Sequence, residues 1–338
     1  MKRALLYCLY LSRLWLLVRW ANRNRLVILM YHGVSDGAPG VWTQVGTAAF
    51  EEQMAYLRAR YAPADLETAV TRLYDRTLPA YAAAVTFDDG FHNNLTNALP
   101  VLKRHSVPAT IYVTTSFIDG QNRFDGLIWT DYVYALLLAT DRSTIDLTDH
   151  ELGSFELTDR RSRGSAKKAI CGALKRLPDA ERQQALTALA HRCGNGVRPE
   201  DAAVFAPMSW DEVRQIAREP LIAIGAHTVE HPILTRLPRD RMIEEISTSQ
   251  AVIQTETGCL PALFAYPNGT KDDFNDEIKE VVAERYSCAV STVEGLNDAA
   301  TDRYELRRIG IGADMPLWEF KLCLSGTYTL IARILGRT

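Results

Sequence analysis

The chain has 338 residues, 47% of them hydrophobic, enough apolar material for a large core. That length fits two ordinary domains or a single α/β barrel. The 38 basic and 41 acidic residues leave a net charge of −3, a near-balance that gives no support to nucleic acid as a partner. Six scattered cysteines without a C-x-x-C pair favour free or buried thiols in a reducing compartment over a disulfide framework.

Residues 1–25 stand apart. They carry Lys2, Arg3, Arg13, Arg19, Arg23 and Arg25 and no acid, interleaved with leucines and with Tyr7, Tyr10, Trp15 and Trp20. The apolar span 4–18 is shorter than the ~20 residues a membrane-crossing helix needs, and Arg13 interrupts it. No small-x-small cleavage site follows, as a secretory signal would require. The segment reads as a basic amphipathic helix lying on an anionic membrane surface. A helix packed on its own domain is the second reading, and a signal or span the third.

From residue 26 onward apolar runs alternate with helical patterns. Strands are predicted at 26–34, 82–87, 109–114, 221–226, 262–266 and 287–291, and helices at 48–60, 93–104, 240–256 and 273–284. Strand followed by helix, repeated, implies a parallel sheet or barrel with helices outside. In such folds the chemistry collects at the C-terminal ends of the strands. The alternation fails between 115 and 208, so an insertion of about 119–207, mostly helical, is expected, as a lid, a substrate-shaping subdomain or a neutral insert. Ser209 and Glu212 have capping-box spacing and mark a helix start just before the strand at 221. The domain boundaries are therefore 1–25, a barrel over 26–315, and a closing helix over 316–338.

Two short segments carry the chemistry. T-F-D-D-G at 86–90 places Asp88 and Asp89 side by side at a strand end. Adjacent carboxylates raise each other's pKa unless a cation neutralises them. A metal would do so and leave one carboxylate free as a base. H-T-V-E-H at 227–231 follows another strand. If the chain leaves that strand in a helical turn, His227 and His231 share a face. Two imidazoles and a carboxylate suit catalytic Zn²⁺ with an open position for water, and the same set matches the Fe²⁺ facial triad. His32, at the end of the first strand, is either a hydrogen-bonded core histidine or a general acid. F-A-Y-P-N-G at 264–269 offers an aromatic wall and a tight turn for a sugar ring, with a backbone N–H for an oxyanion. His92, His105, His150 and His191 read as surface or helix residues, and Glu230 as facing solvent.

With these residues assembled, the chain resembles the polysaccharide deacetylases of carbohydrate esterase family 4. Residues 86–90 match the family's first motif and 227–231 its second; 264–269 match the third in part. The resemblance implies an incomplete, distorted barrel of parallel strands, with Asp88 as catalytic base and Asp89, His227 and His231 as metal ligands. It puts the backbone N–H of Asn268, beside Tyr266 and Pro267, at the oxyanion position. Many members carry in the third motif an arginine that pairs with the base; here that place is Ala265, and Arg308 is the candidate replacement. Many also end with a leucine–histidine motif that supplies the general acid, whereas the last strand here has no histidine. The branch acting on poly-N-acetylglucosamine takes that acid from a histidine on the first strand, the place of His32. The expected cofactor is a divalent metal, Zn²⁺ first, with Co²⁺, Ni²⁺, Mn²⁺ or Fe²⁺ as alternatives. The expected reaction is hydrolysis of N-acetyl groups on an amino-sugar polysaccharide or glycan precursor in exopolysaccharide or cell-envelope biosynthesis. The alternatives are a deformylase or amidase acting on a lipid-linked sugar or small amide, and a non-catalytic carbohydrate-binding module. The expected setting is bacterial, cytoplasmic or peripheral to the inner membrane, with the envelope side left open.

Overall fold

A computed structural model describes residues 2–37, 41–120, 124, 126–194, 196–197 and 202–334. Seven parallel strands close into a ring: β1 (Val27–Tyr31), β2 (Ala82–Phe87), β3 (Ala109–Val113), β4 (Ile222–Ala226), β5 (Leu263–Ala265), β6 (Cys288–Glu294) and β7 (Leu306–Gly310). Around the ring the order is β1-β7-β6-β5-β4-β3-β2, and β2 returns to β1 through the register Val27↔Ala83 to Tyr31↔Phe87. The seam between β4 and β5 is the thinnest, with Phe264 opposite Ala226 as its one register pair. This is the expected distorted barrel, one strand short of eight.

Strand alternation sorts the side chains into two cores. Val27, Leu29, Tyr31, Val85, Phe87, Ile111, Val113 and Ile224 join the cluster formed with the surrounding helices. Ile28, Ala84, Tyr112, Ala265, Val290 and Leu306 fill the interior, together with residues of helix Leu66–Tyr74. Small interior residues make room for two large ones, Tyr112 and Arg308. Gly225 lies so close to the Tyr112 ring that a Cβ there would sit 2.4 Å from it.

Several boundaries differ from the sequence reading. The strand expected over 26–34 breaks at His32, and Gly33–Val34 leaves the barrel to pair with Gln44–Val45. The helix expected from residue 93 opens as a π-turn, Asn94–Ala98, before Leu99–His105. Residues 1–25 form two helices, α1 (Lys2–Leu11) and α2 (Trp15–Ala21), because Arg13 adopts a left-handed φ of 61° between them. The closing segment is likewise two helices, Leu317–Leu324 and Thr327–Ile334. The insertion forms its own apolar core from helices Trp129–Ala139, Arg160–Leu174 and Asp179–Cys193, seated on Phe91 and Phe117 of the barrel rim. Its polar 141–159 stretch is an antiparallel hairpin, Thr144–Asp146 with Ser154–Glu156.

Candidate active site

Asp88 still belongs to the ladder: its N–H donates to the Tyr31 carbonyl at 2.9 Å. Asp89 and Gly90 then take φ of 76° and 81°, turning the chain at the strand end. Neighbouring strand residues face opposite ways, and that left-handed pair brings both carboxylates to one rim instead. Both are buried, at 3% and 5% exposure.

The two carboxylates have opposite surroundings. Arg308, fully buried on β7, grips Asp88 with both ends of its guanidinium, at 2.6 and 2.7 Å. Its Nε donates to the Ser291 carbonyl at 2.8 Å, and Nη1 reaches Thr86 Oγ1 at 3.2 Å. Burial alone would raise the Asp88 carboxyl; the Arg308 charge, helped by His227, overrides it and holds the group at about 2. Asp89 has no such partner: burial, then the Asp88 charge and that of Asp131, push its pKa well above the usual carboxylate range.

His227 ends β4, its N–H bonded to the Val113 carbonyl at 3.0 Å. Its Nδ1–H donates to the Ala265 carbonyl at 2.7 Å, which leaves Nε2 with a free lone pair. The chain from His227 to His231 does not take the helical turn that would put both rings on one helix face. Thr228 and His231 both have positive φ, 65° and 54°, and the two rings meet edge-to-face at 4.8 Å across a tight loop. Glu245, buried on helix Arg239–Thr257, holds that loop by accepting the N–H groups of Val229 and Glu230 at 2.9 Å each. Glu230 itself is exposed. Burial lowers the pKa of both rings, that of His231 strongly, so both are neutral and open to a cation.

Asp89, His227 and His231 present ligand atoms within 4.8 Å of one another. Asp89 Oδ1 lies 3.7 and 3.6 Å from the two Nε2 atoms, too far to bond, and it has no hydrogen-bond partner although buried. An orphaned carboxylate oxygen facing two neutral imidazoles is the donor set of a divalent-metal site. The three residues fit the metal that the sequence implies.

These groups floor a cleft of about 380 Å³ that also admits His32, Trp42 and Asn268. His32 is half-buried, its ring against Trp42 at 5.6 Å and its Nδ1 without a partner. Burial lowers its pKa to about 4, with Asp88 opposing and Arg308, His227 and Lys167 assisting. Asn268 stands at the rim with φ 59°, and its side-chain nitrogen is buried without an acceptor. Tyr266 and Pro267 are placed elsewhere. Tyr266 is fully buried, stacked on Phe274 at 4.5 Å with its hydroxyl donating to the Tyr304 carbonyl, so it offers no wall to a sugar. Pro267 is buried in the turn, its carbonyl taking the Gly269 N–H. Both shape the loop that carries Asn268. His92, His105, His150 and His191 lie outside the cleft; His92 pairs with Glu212 at 2.9 Å.

One wall escaped the sequence reading. The insertion contributes Ile128, Thr130, Asp131, Lys167, Cys171 and Lys175 to the cleft. Its charged residues were visible as residues, but nothing in their spacing told which face would meet a site built elsewhere in the chain.

A family model described as "Polysaccharide deacetylase" matches residues 75–154 and 174–285, more than half of the chain. The poly-beta-1,6-N-acetyl-D-glucosamine N-deacetylase of Escherichia coli (strain K12) is 31% identical over 99 residues, 28% of this chain and 15% of that protein. YxkH of Bacillus subtilis is 32% identical over 93 residues, 26% of this chain and 32% of that protein. The matches thus span a third or less of these curated relatives. Two solved structures share the fold at low identity. The Streptococcus pyogenes deacetylase PplD, in complex with acetate, superposes with a TM-score of 0.59 at 18% identity over 89% of this chain and 98% of that one. IcaB from Ammonifex degensii gives 0.56 at 17% over 89% and 97%. With the family's motifs at the barrel rim and its model matched over most of the barrel, the chain belongs to the polysaccharide deacetylase family.

Proposed function

We propose that this chain hydrolyses N-acetyl groups on an amino-sugar glycan with the help of a divalent metal. The observation that carries the reading is the division of labour between neighbouring carboxylates. Asp88 is held ionised by Arg308, while Asp89 is left unpaired beside two neutral imidazoles. Asp89, His227 and His231 would hold the ion, Zn²⁺ by preference for this donor set, with Co²⁺, Ni²⁺, Mn²⁺ and Fe²⁺ as rivals. When bound, such an ion polarises the amide carbonyl and acidifies a water molecule.

The chain's own groups supply the rest. Asp88 accepts the proton that the attacking water loses. The backbone N–H of Asn268, a residue of the cleft wall, would meet the oxygen on which negative charge develops. The C–N bond breaks, acetate leaves, and the nitrogen takes up one proton. Burial lowers the His32 pKa to about 4, so the resting ring is neutral near pH 7. His32 therefore serves as a relay, passing to the leaving amine the proton that Asp88 took from the attacking water, rather than as an acid held in reserve. The test is acetate release from N-acetylglucosamine oligomers by the metal-loaded protein, with N-formyl analogues alongside. Acetate should appear and should cease on chelation. Formate release alone would favour the deformylase alternative; binding without either product would favour a non-catalytic module.

We further propose that the N-terminal helices hold this activity at a membrane surface. Helix α1 packs on Leu317–Leu324 through Tyr7 against Trp318 at 5.2 Å and Arg3 with Glu319 at 3.0 Å. Apolar side chains of α1, α2 and the turn between them also stand exposed. Six of the nine exposed large hydrophobic residues among the described ones are Tyr7, Leu11, Leu14, Leu16, Leu17 and Trp20, with Leu17 at 66% exposure. Arg13 is exposed beside them, and residues 1–25 hold no acid to repel anionic lipid. No helix among the described residues is long and apolar enough to cross a membrane. The protein should float with phosphatidylglycerol-containing vesicles, and Leu14→Glu with Leu17→Glu should weaken that binding about tenfold or more. Equal recovery with and without vesicles would refute the surface role.

A further inference from the structure

Building on the deacetylase reading, we propose that the substrate carries an anionic group, a carboxylate or a phosphate, close to the acylated sugar. The insertion helix Arg160–Leu174, continued by Lys175, recognises that group. Between residues 160 and 178 the chain has seven basic residues and no acid, although its overall charge is −3. Lys167, Cys171 and Lys175 fall at helical spacing of four and eight, on one face, and all three line the cleft.

A count of charges around the cleft shows what is unmatched. Asp88 is neutralised by Arg308 at 2.6 Å. The buried Asp131 is matched by Lys167, 3.6 Å away, whose ammonium also sits 5.0 Å from the Tyr134 ring centre. Asp89 belongs to the metal. Lys175 remains: it is half-buried, lines the cleft, and has no carboxylate partner among the described residues. It lines the same cleft as His231. With a divalent ion on Asp89, the cleft gains a further net positive charge. A neutral sugar calls for hydroxyl contacts and leaves an unmatched ammonium unused; an anionic substituent fills that position with a charge-assisted hydrogen bond. The match to the family model stops at 154 and resumes at 174, so Lys167 and Cys171 lie outside it while Asp131 and Lys175 lie within it.

The test compares kcat/KM of the metal-loaded full chain on three substrates. They are an N-acetylglucosamine oligomer, N-acetylglucosamine 1-phosphate, and a 2-acetamido-2-deoxyuronic acid. At least one anionic substrate should be preferred at low salt, and the preference should shrink as ionic strength rises. Preference for the phosphate alone or the uronate alone identifies the source of the charge. In Lys175→Ala the anionic-over-neutral ratio should fall about tenfold, the loss of one charged hydrogen bond, and Lys175→Arg should retain it. Equal use of neutral and anionic sugars, or a preference untouched by Lys175→Ala, overturns the proposal. If no substrate yields acetate but calorimetry shows Lys175-dependent binding of the sugar phosphate or uronate, the deacetylation reading fails and the anion site stands.

Discussion

Asp88→Asn should cut acetate release by about 10²–10⁴-fold with metal content unchanged. The amide has the shape of the carboxylate but cannot take the proton of an attacking water. It still offers one oxygen to the Arg308 guanidinium, so the barrel should fold, with some loss of thermal stability from the weakened pair. Metal should still bind, because Asp89, His227 and His231 are all retained. His32→Ala separates the two proton steps. It leaves the base and the metal ligands in place, and should cost about 10²-fold. Added imidazole should restore part of that rate, since the ring lines an open cleft and makes no structural hydrogen bond through Nδ1. Assays of acetate release with metal analysis check both variants. Wild-type turnover in Asp88→Asn would remove Asp88 from the base role, and an unaffected His32→Ala would remove the relay.

The barrel was legible because its strands are runs of buried residues bounded by helices, and the motif residues lie at strand ends where such folds gather their chemistry. Asp89, His227 and His231 meet as a ligand set, and Arg308 reaches Asp88 across the barrel interior. That last contact depends on parity: Thr86, Asp88 and Arg308 all lie on inward-facing positions, while Ala265 leaves space beside them. What the sequence could not show was set by tertiary contact. Tyr266 looked like a binding-site aromatic because an apolar strand end gives no sign of which face is buried. The H-x-x-x-H spacing suggested a helical turn, and the structure makes a loop with two left-handed residues instead, held from outside by Glu245. Glu245 was invisible as a positioning residue because its role comes from burial, and one glutamate on an otherwise amphipathic helix reads as a solvated face. The insertion was open to reading as a lid, a substrate-shaping subdomain or a neutral insert, and which of its lysines meet the cleft was not legible, because they gain meaning only once the cleft opposite them exists.

Arg308→Met should both slow the enzyme and destabilise it by about 3–5 kcal/mol near neutral pH, because it removes one half of a buried ion pair. Methionine fills much of the arginine's length, so the loss would report charge more than volume. The pH dependence separates the two. In the wild type the folded Asp88 carboxyl sits at about 2, below its unfolded value near 4. Its contribution is therefore fully present above about pH 4 and is lost as pH falls through about 2. In Arg308→Met burial, the largest influence on Asp88, is opposed only by His227 and His32, and the folded pKa rises above the unfolded one. Between those two values the folded variant binds more protons than its unfolded chain, so its stability falls as pH rises. The stability gap between wild type and variant should thus widen from about pH 2 upward, and the acid limb of kcat/KM should move to higher pH in the variant. Melting temperatures measured across that range check the sign. A gap that stays constant with pH would mean that Arg308 contributes packing alone, and the Asp88 base would then owe its ionisation to the metal rather than to the barrel. Arg308→Lys supplies the intermediate case: it keeps one positive charge but lacks the fork that holds both Asp88 oxygens, so it should recover part of the stability and less of the activity.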